Sequence, residues 1–71
     1  MFYASSHYLI SLTPREIQVM WLLVRGMPNK ICAEKLGCST RTIEIHRARV
    51  FQKLGVRNVL EMTIKLHKFG V

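Results

Sequence analysis

Residues 29–54 read NKICAEKLGCSTRTIEIHRARVFQKL, and the rest of the chain is organised around them. Two segments of helical period flank Gly37 and Cys38. Ala33 is small enough to let a second helix come close. Gly37 can take the positive φ that a sharp helix-to-helix turn needs. Ile43 is the first apolar anchor of the following helix, whose inward stripe is Ile43, His46, Val50 and Leu54, close to 3.6-residue spacing. The opposite face carries Arg41, Glu44, Ile45, Ala48, Arg49 and Gln52, with Thr42 and Lys53 flanking it. Two helices joined by a tight turn, the second with a basic outer face, make a helix-turn-helix. Its second helix is shaped to lie in the major groove of DNA.

Upstream, Leu12-Thr13-Pro14-Arg15-Glu16-Ile17 is a strong helix start. Thr13 is the expected N-cap, Pro14 sits at N1, and Glu16 at N3 completes a capping box. Leu12 and Ile17 occupy the hydrophobic-staple positions. The first helix should run to about Arg25 and stop at Gly26. Its apolar residues form two stripes, Val19, Met20 and Leu23 on one side and Ile17, Trp21 and Val24 on the other. Pro28 and Asn29 should open a short second helix, with Asn29 as N-cap and Cys32, Ala33 and Leu36 inward. Ser39 should cap the third helix and Gly55 close it. Asn58 and Glu61 should form an Asx version of the capping box for a fourth helix, Val59 to about Phe69. Its apolar positions, Val59, Leu60, Met62, Ile64, Leu66 and Phe69, occupy more than one face. That surplus points to self-association.

Seventy-one residues allow one small domain with a thin core. The formal charge is +7, from 11 Lys+Arg against 4 Asp+Glu, which favours an anionic partner such as nucleic acid or an acidic membrane surface. Apolar residues make up 49%, too many for a disordered basic tail. No apolar run is long enough to span a bilayer, and the first residues lack the pattern of a secretory signal. Residues 1–11 form a lead-in without helical or alternating period, and residues 12–71 form the domain. Cys32 and Cys38 sit where apolar residues are wanted, so both read as core thiols rather than a redox pair. His7, His46 and His67 are too scattered to complete a metal site with them. His46 reads as a half-buried packing residue. No constellation for catalysis is present and no cofactor is expected.

Leu12-Thr13-Pro14-Arg15-Glu16, Gly26-Met27-Pro28-Asn29-Lys30, Thr42-Ile43-Glu44-Ile45-His46 and Lys53-Leu54-Gly55-Val56 together resemble the LuxR/GerE-type helix-turn-helix domain. Thr42 to Arg49 and Pro28-Asn29-Lys30 lean towards its FixJ-like branch. The resemblance covers residues 12–71. It implies an all-α, four-helix domain of a bacterial transcription regulator that binds duplex DNA as a homodimer through its fourth helix, in the cytoplasm and at the nucleoid. Leu60, Ile64 and His67 are the corresponding dimer residues here. The chain is then a free-standing regulator or an excised C-terminal domain; Met1 leans to the first. In the family the positions of Ile17 and Trp21 are usually charged or polar, so this chain departs from the pattern there. Cys32 and Cys38 fall where the family generally has Ile.

The chemistry of the outer face fits that reading. Arg41, Arg49 and Lys53 can pair with phosphates, and Arg can fork onto guanine O6 and N7. Glu44 repels phosphates, so it belongs on the groove floor, where it could accept from cytosine N4–H. Ile45 offers a contact to a thymine methyl, and Ala48 lies on the same face. Thr40, Thr42 and the start of the third helix can hold a phosphate through hydroxyl and backbone N–H. Lys30 resembles the family's backbone-contacting lysine.

Two other readings compete. A sigma-factor region shares the helix-turn-helix, but His46-Arg47 and the fourth helix favour the LuxR-type assignment. A protein-interaction module would pair with a related regulator through the fourth helix without reading DNA. The stripe of Ile17, Trp21 and Val24 needs a cover. Residues 1–11 are the expected one, through Phe2, Tyr3, Tyr8, Leu9 and Ile10; a separate protein partner at Ile17 and Trp21 is the alternative.

Overall fold

Thr13 starts the first helix as its side chain dictates. In the computed structural model, which describes residues 11–68 and 70, Thr13 Oγ1 accepts from the Glu16 backbone N–H at 3.1 Å and Glu16 Oε1 accepts from the Thr13 N–H at 2.9 Å. The reciprocal box satisfies two donors that a helix start otherwise leaves open. Four helices follow: α1, Pro14–Val24; α2, Asn29–Leu36; α3, Thr40–Leu54; and α4, Val59–Lys68. No strand occurs among the described residues, and the fold is all-α as the sequence predicts.

The first three helices end by one recurring device. The N–H of Met27 returns to the Leu22 carbonyl, that of Cys38 to Ala33 and that of Val56 to Phe51, at 3.1, 3.0 and 2.9 Å. Each bond satisfies a carbonyl that the last turn would leave without a partner. At the turn between α2 and α3 the device needs Gly37, whose φ is +67°. A Cβ there would meet nothing within 4 Å, so substitution costs backbone strain alone. Gly37→Ala should destabilise the domain by about 1 kcal/mol, read as a lower urea midpoint; a raised midpoint would refute the turn as described.

Two starts differ from expectation. Pro28, extended at φ −71° and ψ 163°, is the cap of α2 and makes no side-chain capping bond. Its carbonyl already accepts from Cys32 N–H at 3.0 Å, so Asn29 is drawn into the first helical position and its side chain is free to bond elsewhere. In α4, Asn58 Oδ1 does accept from Glu61 N–H at 2.8 Å. The Glu61 carboxylate, however, reaches past Asn58 to the Arg57 backbone N–H at 2.9 Å and to its guanidinium. The Arg57 charge draws it there and holds the Glu61 carboxyl below its usual range.

α3 lies against both α1 and α2, and α4 packs on α1. Val19, Met20 and Leu23 of α1, Cys32 and Ala33 of α2, Ile43, Val50 and Leu54 of α3, and Met62 and Leu66 of α4 form the core, with Leu12 added from just before α1. Leu36 and Cys38 are half-buried at its margin. Both cysteines are free thiols. Burial pushes the Cys32 thiol up, and its Sγ donates to the Met27 carbonyl at 3.6 Å, so it is an inert packing group. His46 is half-buried, with Nδ1 hidden from solvent and without a hydrogen-bond partner among the described residues. Among those residues no helix is long and apolar enough to cross a membrane.

Candidate nucleic-acid interface

The interface is built on α3. Ile43, Val50 and Leu54 are buried beneath it, which fixes the rotation of the helix. The same rotation leaves Thr40, Arg41, Glu44, Ile45, Ala48, Arg49 and Gln52 exposed on its outer side. Ser39 caps the start: its Oγ accepts from Thr42 N–H at 3.1 Å and shares a hydrogen bond with Thr42 Oγ1 at 3.0 Å. The Thr42 hydroxyl is therefore engaged in the cap, while Thr40 stands exposed at the first helical position. Ile45 is 40% exposed, a large apolar side chain that the core does not use. Lys30 is exposed at the second position of α2.

Two charges on the outer face are coupled. Arg41 donates to Glu44 Oε1 at 3.1 Å, one helical turn along. Both side chains stand in water, so the pair adds little to stability. Its consequence is geometric. The Glu44 carboxylate is held beside a guanidinium on the outer surface, which offsets its negative charge there.

The structure gives Lys53 partners inside the chain that its position on α3 does not announce. Its Nζ donates to Glu16 Oε1 at 2.7 Å and to the Ser11 carbonyl at 3.0 Å. The physical reason is Glu16, which is 1% exposed and needs a cation. Burial raises the Glu16 carboxyl, but bonds from Lys53 and the Thr13 N–H and the fields of Lys53 and Arg49 outweigh it. The net shift is downward. Lys53 thus ties the end of α3 to the start of α1. The signal was present in Glu16 at N3 and Lys53 in the last turn of α3, but pairing them requires knowing that the two ends meet.

A cluster the sequence reading passed over lies beside the face. Arg47 Nη1 donates to Asn29 Oδ1 at 3.1 Å, and its guanidinium sits 5.2 Å above the centroid of Phe51. These residues, with Glu44 and Ala48, line an open hollow of about 470 Å³ between the start of α2 and the outer side of α3. The Arg47–Phe51 spacing is legible as an i,i+4 pair; the Asn29 partner is not.

On α4, Leu60 is 69% and Ile64 58% exposed, and His67 is exposed with them at helical spacing. Met62 and Leu66 take the core side. Lys65 Nζ donates to the Leu54 carbonyl at 2.6 Å, joining α4 to the end of α3. On α1, Trp21 is 40% exposed, with Ile17 and Val24 half-buried beside it. Of the expected cover, residues 1–11, the stretch 1–10 lies outside the described residues.

The family model of the luxR family of bacterial regulatory proteins, GerE, matches residues 10–66. The chain belongs to this family. The luxR-type assignment holds against individual relatives as well. Over 47 residues, 66% of the chain, it is 48% identical to the C4-dicarboxylate transport transcriptional regulatory protein DctR of Rhodobacter capsulatus. Over 52 residues, 73% of the chain, it is 44% identical to the transcriptional regulatory protein FixJ of Bradyrhizobium diazoefficiens. It matches 24% and 25% of those two proteins, so the chain spans about a quarter of the length of the curated relatives it resembles. A solved structure of the response regulator StyR superimposes on 92% of the chain with a TM-score of 0.87 and 37% identity, over 33% of that protein's length. The four-helix luxR-type architecture is therefore shared in both sequence and coordinates.

Proposed function

We propose that this chain binds duplex DNA sequence-specifically and regulates transcription, with α3 in the major groove and a homodimer formed through α4. The carrying observation is the outer face of α3. Thr40, Arg41, Glu44, Ile45, Ala48 and Arg49 all stand clear of the core, and α1 and α2 hold the helix from behind. Arg41, Arg49 and Lys30 supply phosphate contacts, while Glu44, Ile45 and Ala48 meet base edges. Exposed Leu60, Ile64 and His67 supply the two-fold contact, which predicts inverted half-sites. Such a regulator works in the bacterial cytoplasm and needs no cofactor.

Selection of bound duplexes from a random pool, followed by mobility-shift titration, tests this directly. A salt-sensitive, sequence-selective complex is expected, and Arg49→Ala should shallow the salt slope by about one unit per protomer. Glu44→Ala should relax preference at one base position by about 1–3 kcal/mol while raising affinity for non-cognate duplexes. A uniform loss on all sequences would remove Glu44 from base reading. The exposed α4 stripe also suits a second reading, in which the chain pairs with a related regulator and modulates it without touching DNA. Under that reading the isolated chain shifts no duplex but still associates through Leu60 and Ile64. Trp21 and Ile17 remain the surface for a different protein partner, or for residues 1–11.

A further inference from the structure

We propose that Arg47 is a phosphate-binding residue, oriented for that contact by Asn29 and Phe51. This rests on the DNA-binding reading above and extends it to a side chain outside the α3 outer stripe.

Arg47 is held at two points. The face of Phe51, one turn further along α3, lies 5.2 Å from its guanidinium carbon, a cation–π distance. Asn29 Oδ1, at the start of α2, accepts from Nη1 at 3.1 Å. A guanidinium carries five N–H donors, and among the described residues only one of them has this partner. Arg47 itself lines the hollow between α2 and α3, about 470 Å³, together with Asn29, Glu44, Ala48 and Phe51. That hollow opens between exposed Ala48 on the recognition face and the start of α2, where exposed Lys30 follows Asn29. With α3 in the major groove as proposed above, a DNA strand bordering that groove would pass this opening. The one opposing charge, Glu44, is bonded to Arg41 at 3.1 Å, so the lining remains attractive to an anion.

Stacking and the amide bond fix the side chain before DNA arrives. Less rotamer freedom is then lost on binding, and the planar fork suits two phosphate oxygens. Asn29 thus acts through Arg47 as a positioning residue. This also explains why Asn29 stands inside α2 with its side chain turned to α3.

The test counts charges. Binding of a random-sequence duplex of roughly 30 base pairs is titrated from about 50 to about 200 mM NaCl, with folding of each variant checked by circular dichroism. Arg47→Gln, which keeps the polar stem for Asn29, should shallow the slope of log affinity against log salt by about 0.9 per bound protomer. It should weaken binding about fivefold at ~0.15 M salt. Arg47→Lys should retain the slope. Asn29→Ala keeps every charge and should weaken binding roughly two- to tenfold with the slope unchanged. If folded Arg47→Gln binds with the wild-type slope, Arg47 is only a clasp between helices and the proposal fails while DNA binding stands. If the wild-type chain shows no salt-dependent binding to any duplex, both readings fall.

Discussion

Lys53→Met should lower the stability of the domain at neutral pH by about 2–3 kcal/mol. Removing one partner of a buried ion pair strands the other, at about 3–5 kcal/mol when both are deeply buried. Lys53 keeps a third of its side chain in water, which reduces the figure. Glu16 has no such relief, since it is 1% exposed and sits in the capping box. The pH dependence fixes the cause. In the wild type the Glu16 carboxyl titrates below its ordinary value. Its contribution is therefore complete above the unfolded pKa, about 4.3 for Glu, and is lost as pH falls through the depressed folded value. In Lys53→Met the main counter-charge is gone and burial favours the neutral acid, so the variant loses less on acidification. Urea midpoints of the two proteins should differ widely at pH 7 and converge below about pH 4. A gap of equal size at both ends would show that Glu16 is not the group responsible. Changing Glu16 to Leu together with Lys53 to Met should recover much of the loss, because no charge is then stranded. The salt slope of DNA binding should be the same with Gln at position 53, since Lys53 points inward to Glu16 and Ser11; a shallower slope would return it to the phosphate contacts.

Ile64→Glu should give a folded monomer whose affinity for a two-half-site operator is about 10²-fold lower or worse. Ile64 is 58% exposed, so in the isolated protomer the substitution changes stability by roughly 0.5 kcal/mol at most. In a two-fold contact each copy would bring its carboxylate against the apolar stripe of the other, beside Leu60. Losing the partner turns a bivalent attachment into a single one, and bivalence commonly multiplies affinity by about 10² to 10⁴. Sedimentation should show a concentration-dependent dimer for the wild type and none for the variant, with unchanged affinity for a single half-site. A dimer that survives Ile64→Glu would place the two-fold contact elsewhere.

Local chemistry was readable wherever one segment contained both partners. Thr13 with Glu16, Ser39 with Thr42, and Gly37 at the turn lie within a few residues of one another, and α1 and α3 start where those residues put them. The buried stripe of α3 was legible for the same reason, through the spacing of Ile43, Val50 and Leu54. What the sequence could not rank was competition between local and distant partners. Asn29 is a good cap by type, but Pro28 caps α2 and Arg47, 18 residues away, takes the amide. Lys53 is a good phosphate ligand by type, but a carboxylate 37 residues earlier takes its ammonium. Glu61 was misjudged by one residue, because the Arg57 charge attracts it more strongly than a single N–H on Asn58. Each case turns on which partner lies nearest once the chain is folded. Helical period does not carry that information.

The bond from Lys65 to the Leu54 carbonyl ties the last two helices together across their turn. With α4 also packed on α1, the limb carrying exposed Leu60 and Ile64 is held at two places to the body that presents Arg41 and Glu44. Two copies joined back to back along the outer limb would behave as callipers with a locked pivot. The jaw width would be set by the short passage from Gly55 to Asn58, while the letters read at each jaw would be set by α3. Changes in that passage should therefore alter how far apart two target sites must lie, leaving the sites themselves as they were.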